Sequence, residues 1–215
     1  MAIVTADKLA VYNGALRRLG SRRIASLTEA REPRRVLDDV WGVADETPKY
    51  ALARGEWNFA MRAVEADYSP SVEPEFGFRR AYDKPDDFVR LAAMASDEYF
   101  HNTLTALDYT EEQAYWLTDC DVLYIRYVSS GVDYGLDSLL WSPGFKRYLE
   151  CFMAWEACER ITNSQAKKDR LEREMRMALR DEKSSDAMQE GAKFPPTGSW
   201  VRARGSGGRK ERSRL

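Results

Sequence analysis

The sequence predicts a mainly α-helical protein with a small antiparallel β part: a helical bundle that carries an inserted β sub-domain and ends in an extended C-terminal tail. Three observations predict it. Apolar residues recur at three- and four-residue spacing towards both ends of the chain, at two-residue spacing in between, and the stretch after Gly191 is dominated by Gly, Ser, Pro and Arg.

A helix is expected over 5–19, where Leu9, Tyr12, Leu16 and Leu19 share a face, Asp7 complements the N-terminal dipole and Gly20 stops the helix. "SLTE" then sets Ser26 three residues before Glu29, the spacing of a capping box, and Pro33 suits a first helical turn. A second helix is expected over 33–54, with Val36, Leu37, Val40, Trp41 and Ala44 on one stripe; Pro48 must kink or restart it, and Gly55 closes it.

From 57 to 128 the period becomes two. "WNFAMRAV" puts Trp57, Phe59, Met61 and Ala63 on one face of a strand, and "FGFRRAY" and "DFVRLAA" read as further short strands. "AYWLTDCDVLYIRYVSS" reads as a hairpin: Tyr115 and Leu117 precede a polar turn, and Leu123, Ile125 and Tyr127 follow it. Helix returns over 144–163, with Phe145, Tyr148, Phe152, Trp155 and Cys158 on one stripe, and again over 165–183, with Leu171, Met175 and Leu179 four apart. On the wet side of that last helix, Asp169 with Arg173 and Glu172 with Arg176 have ion-pair spacing. Residues 1–191 therefore read as one body and 192–215 as a basic extended tail.

A chain of 215 residues buries roughly 70% of its unfolded surface in a single core and needs no staples. Its 44% hydrophobic and 32% charged residues belong to a globular protein, and no apolar run approaches the ~18 residues of a membrane span. The start "MAIVTADKLA" lacks the pattern of a secretory signal, and three cysteines without C-x-x-C spacing point away from disulfides or zinc, towards synthesis in a reducing cytoplasm. The net charge of −2 conceals a division: from Lys193 onward seven Lys or Arg face one acid, Glu211. The preceding residues hold 26 basic and 34 acidic side chains. An acidic body with a basic tail implies two partners, or a tail that docks on an acidic neighbour.

Chemistry finds little to assemble. His101 is the only histidine, so no triad or histidine metal cluster can form, and a packing or surface role is expected. Asp86 with Asp87 and Asp119 with Asp121 lack calcium-loop spacing and read as turn residues. Cys151 and Cys158 lie on a buried stripe, and "GSGGRKERS" follows no strand, as a phosphate loop would. No enzyme, cofactor or metal site is expected. Aromatic strands could stack single-stranded nucleic acid, but the acidic body favours a core or subunit-interface role. In the tail, Arg202, Arg204, Arg209, Lys210, Arg212 and Arg214 could contact DNA phosphates. Phe194, Trp200, Val201 and Leu215 could equally anchor it in a neighbouring protein's groove, and these anchors favour the protein partner.

In order, "ALRRLGSRRIASLTEA", "RRVLDDVW", "ALARGEWNFAMR", "AYDKPDDFVRL", "VLYIRYV" and "FKRYLECFMAWEACERITNS" resemble the tail tubular protein A family, the head-to-tail adaptors of tailed bacteriophages. The resemblance spans about residues 9 to 185 and is most specific at Trp57 with Phe59, and at Tyr82, Pro85, Asp86 and Arg90. Pro48 departs from it by interrupting the second helix, and the basic tail is an extension that varies among connectors. It implies a helical bundle with a β-rich part, and a dodecameric ring between the portal protein and the tail nozzle or next connector. Packaged DNA would pass through that ring without specific binding. It also implies residence in the virion, at the head-tail junction, with no membrane partner. The alternative expectation is a DNA-binding or packaging accessory protein acting through the tail.

Overall fold

Residues 5–70, 72–104 and 108–189 are described by a computed structural model. Among them, five helices surround one apolar core, and two three-stranded antiparallel sheets, inserted between the third and fourth helices, surround a second. Helices α1 (Thr5–Leu19), α4 (Pro143–Thr162) and α5 (Gln165–Gln189) appear where the 3.6-residue period puts them, α5 running past the expected end at 183. Helix α4 is the centre of the bundle and packs against α5, α1 and α2 (Glu32–Trp41). Its stripe of Phe145, Tyr148, Phe152 and Cys158 is buried, and Ser142 caps its N-terminus by accepting from the Phe145 amide at 3.1 Å.

The expected helix over 33–54 is two helices. Gly42 (φ 80°) and Asp45 (φ 54°) adopt backbone that no helix tolerates, so α2 stops at Trp41 and α3 runs from Glu46 to Ala53. Pro48 falls in the first turn of α3, where a missing N–H costs no helix bond; of the two expected effects, restarting is the one observed. The expected capping box does not cap a helix. Glu29 does reach back, accepting from the Ala25 amide at 2.7 Å, but Ser26 meets the Thr28 hydroxyl in irregular chain ahead of Glu32.

The β region also differs from expectation. Strands β1 (Met61–Glu65), β6 (Tyr124–Ser129) and β3 (Phe88–Ala95) form one sheet in that order, and β2 (Arg80–Asp83), β5 (Tyr115–Thr118) and β4 (Tyr109–Glu112) the other. The predicted hairpin between Leu117 and Leu123 is therefore not formed, because β5 and β6 lie in different sheets. The hairpin that does form joins β4 to β5, with Gln113 at φ 42° in its turn. Chain 67–69 leaves β1 and pairs with β2, tying the sheets: the Ser69 amide donates to Ala81 O at 2.9 Å and the Asp83 amide to Asp67 O at 2.9 Å. Between the sheets lie Tyr82, Met94, Trp116, Leu123, Ile125 and Tyr127. Strand β6 serves both cores, since Val128 packs with the helices while Ile125 and Tyr127 pack between the sheets.

The strap from β6 to α4 is held closely. Trp141 donates its indole N–H to Gly135 O at 2.8 Å, Ser138 donates to Asp7 of α1 at 2.8 Å, and Lys146 meets Asp7 at 3.1 Å. A Cβ on Gly135 would overlap the Ser129 carbonyl oxygen, a backbone atom that cannot swing aside. Gly135→Ala is expected to cost about 1–3 kcal/mol, read from the midpoint of urea unfolding; an unchanged midpoint would show that the strap does not bear on β6 this tightly.

Candidate interaction surfaces

The residues singled out at "RGEWNF" meet at one junction. Helix α3 ends at Ala53, and the Arg54 and Gly55 amides close its last turn on Ala51 O at 3.2 Å and Leu52 O at 3.3 Å. The Trp57 indole folds back over Gly55 and donates to Ala51 O and Leu52 O at 3.2 and 3.1 Å. A side chain at Gly55 would stand 2.7 Å from that ring, which excludes anything larger than glycine there. Trp57 is fully buried, and it and Phe59 both pack edge-on against Phe145 of α4. Neither lies on a strand: Trp57 is followed by a single 3₁₀ turn, Asn58–Ala60, and β1 starts only at Met61.

From the other side Arg90 of β3 reaches the same helix end, donating to Ala53 O at 3.5 Å and facing Glu56 at 3.5 Å. The C-terminal part of α5 closes the junction, because Asp186 accepts from the Asn58 amide at 3.2 Å and its carbonyl accepts from the Asn58 side chain at 2.8 Å. Trp57, Arg90, Lys183 and Ala187 line a depression of about 250 Å3 there. Three of the six family-motif residues, Trp57, Phe59 and Arg90, thus meet at one junction.

The remaining motif residues lie on the neighbouring edge. Tyr82 is buried opposite Trp116, its hydroxyl donating to Cys120 O at 2.9 Å. Pro85 and the exposed Asp86 form the turn into β3. The residue that sequence reasoning missed is Asp87. Read as a turn former, it does lie in the turn into β3, and it also accepts from Arg62 at 2.9 Å, Tyr127 at 2.7 Å and Ser129, while its backbone carbonyl accepts from the Ser130 amide at 2.7 Å. Burial alone would push its carboxyl up; the bonds from Ser129, Tyr127 and Arg62 outweigh that and hold it below the ordinary 3.8. Its partners lie 25 to 42 residues away in the chain, so no local pattern announces it.

The other flagged groups are distributed. His101 is exposed and faces Asp97 at 3.7 Å; Asp119 and Asp121 pair with Arg79 and Arg80 at 3.6 and 2.6 Å. Cys151 and Cys158 are buried thiols, and burial pushes that of Cys151 up. On α5, Glu172 pairs with Arg176 at 2.5 Å, whereas Asp169 accepts from Gln165. Among the described residues no three His, Cys, Asp or Glu side chains group to hold a metal ion, and no helix is long and apolar enough to cross a membrane. The expected docking residues from Phe194 to Leu215 lie outside the described residues.

Charge, by contrast, is sharply placed. Residues 61–129 hold 14 acidic and 6 basic side chains, a net of −8, whereas 5–60 with 130–189 hold 19 acidic and 20 basic. The acidity of the body is thus the acidity of its β region. On the bundle, residues 17–35 carry seven arginines against Glu29 and Glu32, with Arg22, Arg23 and Arg35 exposed. Large exposed apolar side chains mark further places: Leu139 and Leu140 before α4, Phe76 and Tyr99 in β-region loops, and Met188 at the end of α5.

Asp87 sets a pH dependence. Its folded-state value is lowered, so its contribution to stability is complete above about pH 3.8 and is lost as pH falls through the folded value. Asp87→Asn should lower stability by about 1–3 kcal/mol at pH 7 and flatten the loss on acidification seen in urea midpoints between roughly pH 5 and pH 2. Asp7, also held low against its burial by Ser138 and Lys146, keeps part of that acid dependence in the variant. An equally steep acid limb in both proteins would remove Asp87 from the account.

No family model matches the chain, and no curated protein is significantly similar to it.

Proposed function

We propose that the protein is a structural head-to-tail adaptor of a bacteriophage, a ring subunit that joins the portal to the tail and surrounds the path of the genome. The observation that carries the reading is the ordered run of motifs from "ALRRLGSRRIASLTEA" to "FKRYLECFMAWEACERITNS", which resembles the adaptors in sequence and order. Helices flanking an inserted β part are the arrangement that resemblance implies.

Charge placement favours the same reading. A closed ring repeats one heterologous contact, so each subunit needs two unlike, complementary flanks. A β region at −8 and an arginine-rich α1–α2 connection are unlike in the required sense. An acidic lining also suits a conduit for duplex DNA, since strong Lys/Arg contacts to phosphate would retard the moving polymer. The basic residues after Lys193 then belong on the portal, away from the duplex, with Phe194, Trp200, Val201 and Leu215 as apolar anchors.

The second reading, a DNA-binding accessory protein, draws on the seven Lys or Arg side chains of that same segment. Two measurements separate them. Mixed with its portal, the protein should form rings visible by electron microscopy, and removal of the residues from Lys193 onward should abolish attachment while leaving the helical circular dichroism intact. Normal attachment by the shortened chain would reject portal docking through this segment. Duplex binding titrated across a salt series should be weak at physiological ionic strength; tight binding with a slope of several phosphates, lost on shortening, would establish the accessory reading instead.

A further inference from the structure

The loop between α1 and α2 is fixed by side chains that bond to its backbone. Asn13 of α1 clamps the buried Ile24, accepting from its amide at 2.9 Å and donating to its carbonyl at 3.1 Å. At the entry to α2, Arg31 donates to Arg23 O at 3.1 Å and Arg34 to Leu27 O at 3.3 Å. Arg35 follows one turn after Arg31, to whose carbonyl its amide donates at 3.3 Å. Two arginines thus brace the loop, while Arg22, Arg23 and Arg35 stand exposed, their guanidinium groups without an ion pair or hydrogen bond among the described residues. The residues outside the described ones carry only two acidic side chains, Glu190 and Glu211, too few to neutralise three arginines. A cationic surface already held in place loses little further freedom on binding, and it calls for an acidic partner.

The chain carries a matching set. Beside β1 and β2 lies a hollow of about 280 Å3, lined by the apolar Val64, Ala66 and Pro85 and by the carboxylates of Glu65, Asp67 and Asp83. The Asp83 amide on Asp67 O, at 2.9 Å, fixes the two chain segments that carry them. The cations of the hollow are engaged elsewhere, Arg62 with Asp87 at 2.9 Å and Lys84 with Glu111 at 2.7 Å. All three carboxylates are exposed and have no ion pair or hydrogen bond among the described residues. Apolar lining beside carboxylates suits arginine, whose methylene stem packs on the first while its head pairs with the second. Within one chain these two sets do not meet.

We propose that the protein associates with copies of itself through one heterologous contact, in which Arg22, Arg23 and Arg35 of one copy enter the hollow bearing Glu65, Asp67 and Asp83 of the next. Charge complementarity names the occupant: three fixed cations answer three unpaired carboxylates, and every copy brings both. A contact between unlike surfaces leaves one of each free and so continues beyond a dimer. This deepens the adaptor reading by naming its two flanks, and it rests on that reading for closure into a ring.

Sedimentation equilibrium of the full chain at low ionic strength, from about 10 µM to 1 mM, tests the contact without a portal. The wild-type mass should climb past that of a dimer and fall back with added salt. An Arg22→Glu, Arg23→Glu, Arg35→Glu variant and a Glu65→Arg, Asp67→Arg, Asp83→Arg variant should each associate about tenfold more weakly or worse. Their equimolar mixture should recover association, since each supplies the sign that the other lost. Reversing Arg173 and Arg180, exposed on α5, should leave association near that of the wild type. A wild type that stays monomeric throughout, association unmoved by the first variant, a mixture that stays apart, or an equal loss on reversing the α5 arginines would each overturn the proposal. Portal-bound rings that tolerate the first variant would also overturn this contact while leaving the adaptor reading standing. Charge-swapped association in a protein that binds no portal would support the contact and remove the reading.

Discussion

The fold depends on how the carbonyl end of α3 is satisfied. A helix that stops inside a protein leaves carbonyl groups that must find donors or lose several kcal/mol between them. Here the Arg54 and Gly55 amides close the last turn on Ala51 O and Leu52 O, and further donors come from outside the helix: the indole of Trp57, folded over Gly55, and the guanidinium of Arg90, carried on β3. Because Trp57 also packs on Phe145, the same contacts join α3, the start of the β region and the central helix α4. Asp186 adds α5 by holding the Asn58 amide. The helix bundle and the sheets meet at this point, so the direction in which the β region leaves the bundle is set here.

A second consequence concerns charge. Once the β region is delimited by its strands, it accounts for the whole net negative charge of the body, and the bundle is close to neutral with an arginine-rich connection between α1 and α2. A chain polarised in this way carries two unlike surfaces, which is what the proposed head-to-tail ring contact requires and a self-complementary pair does not.

The helices were legible because each combines a long apolar stripe with local punctuation. Gly20 after α1 (φ 73°) acts as the sequence suggests. The division of 33–54 was harder, since its stripe runs across Gly42 and Asp45 and only backbone conformation separates the two helices. In the β region, alternation correctly marked β3, β5 and β6, and parts of β1 and β2, but could not tell which strands pair. Alternation reports that a strand has a buried face; pairing depends on partners far along the chain. Leu117 on β5 and Ile125 on β6 are close in sequence and in different sheets, while the true partner of β5, the polar β4, has no alternation to reveal it. Trp57 and Phe59 show the same limit: two-residue spacing read as a strand serves a helix end and a 3₁₀ turn. Asp87, whose partners lie far along the chain, was legible only as an acid next to a proline turn.

The central claim is that this polypeptide is a joining piece of a virus particle. Cryo-electron microscopy of the intact virion, focused on the vertex through which the genome leaves the capsid, tests it most directly. The account predicts a ring at that vertex into which the α4-centred bundle and its two sheets fit, with the acidic β region and the α1–α2 arginines meeting across subunit boundaries. A vertex fully explained by other proteins, with this chain missing from the purified particle, would contradict it.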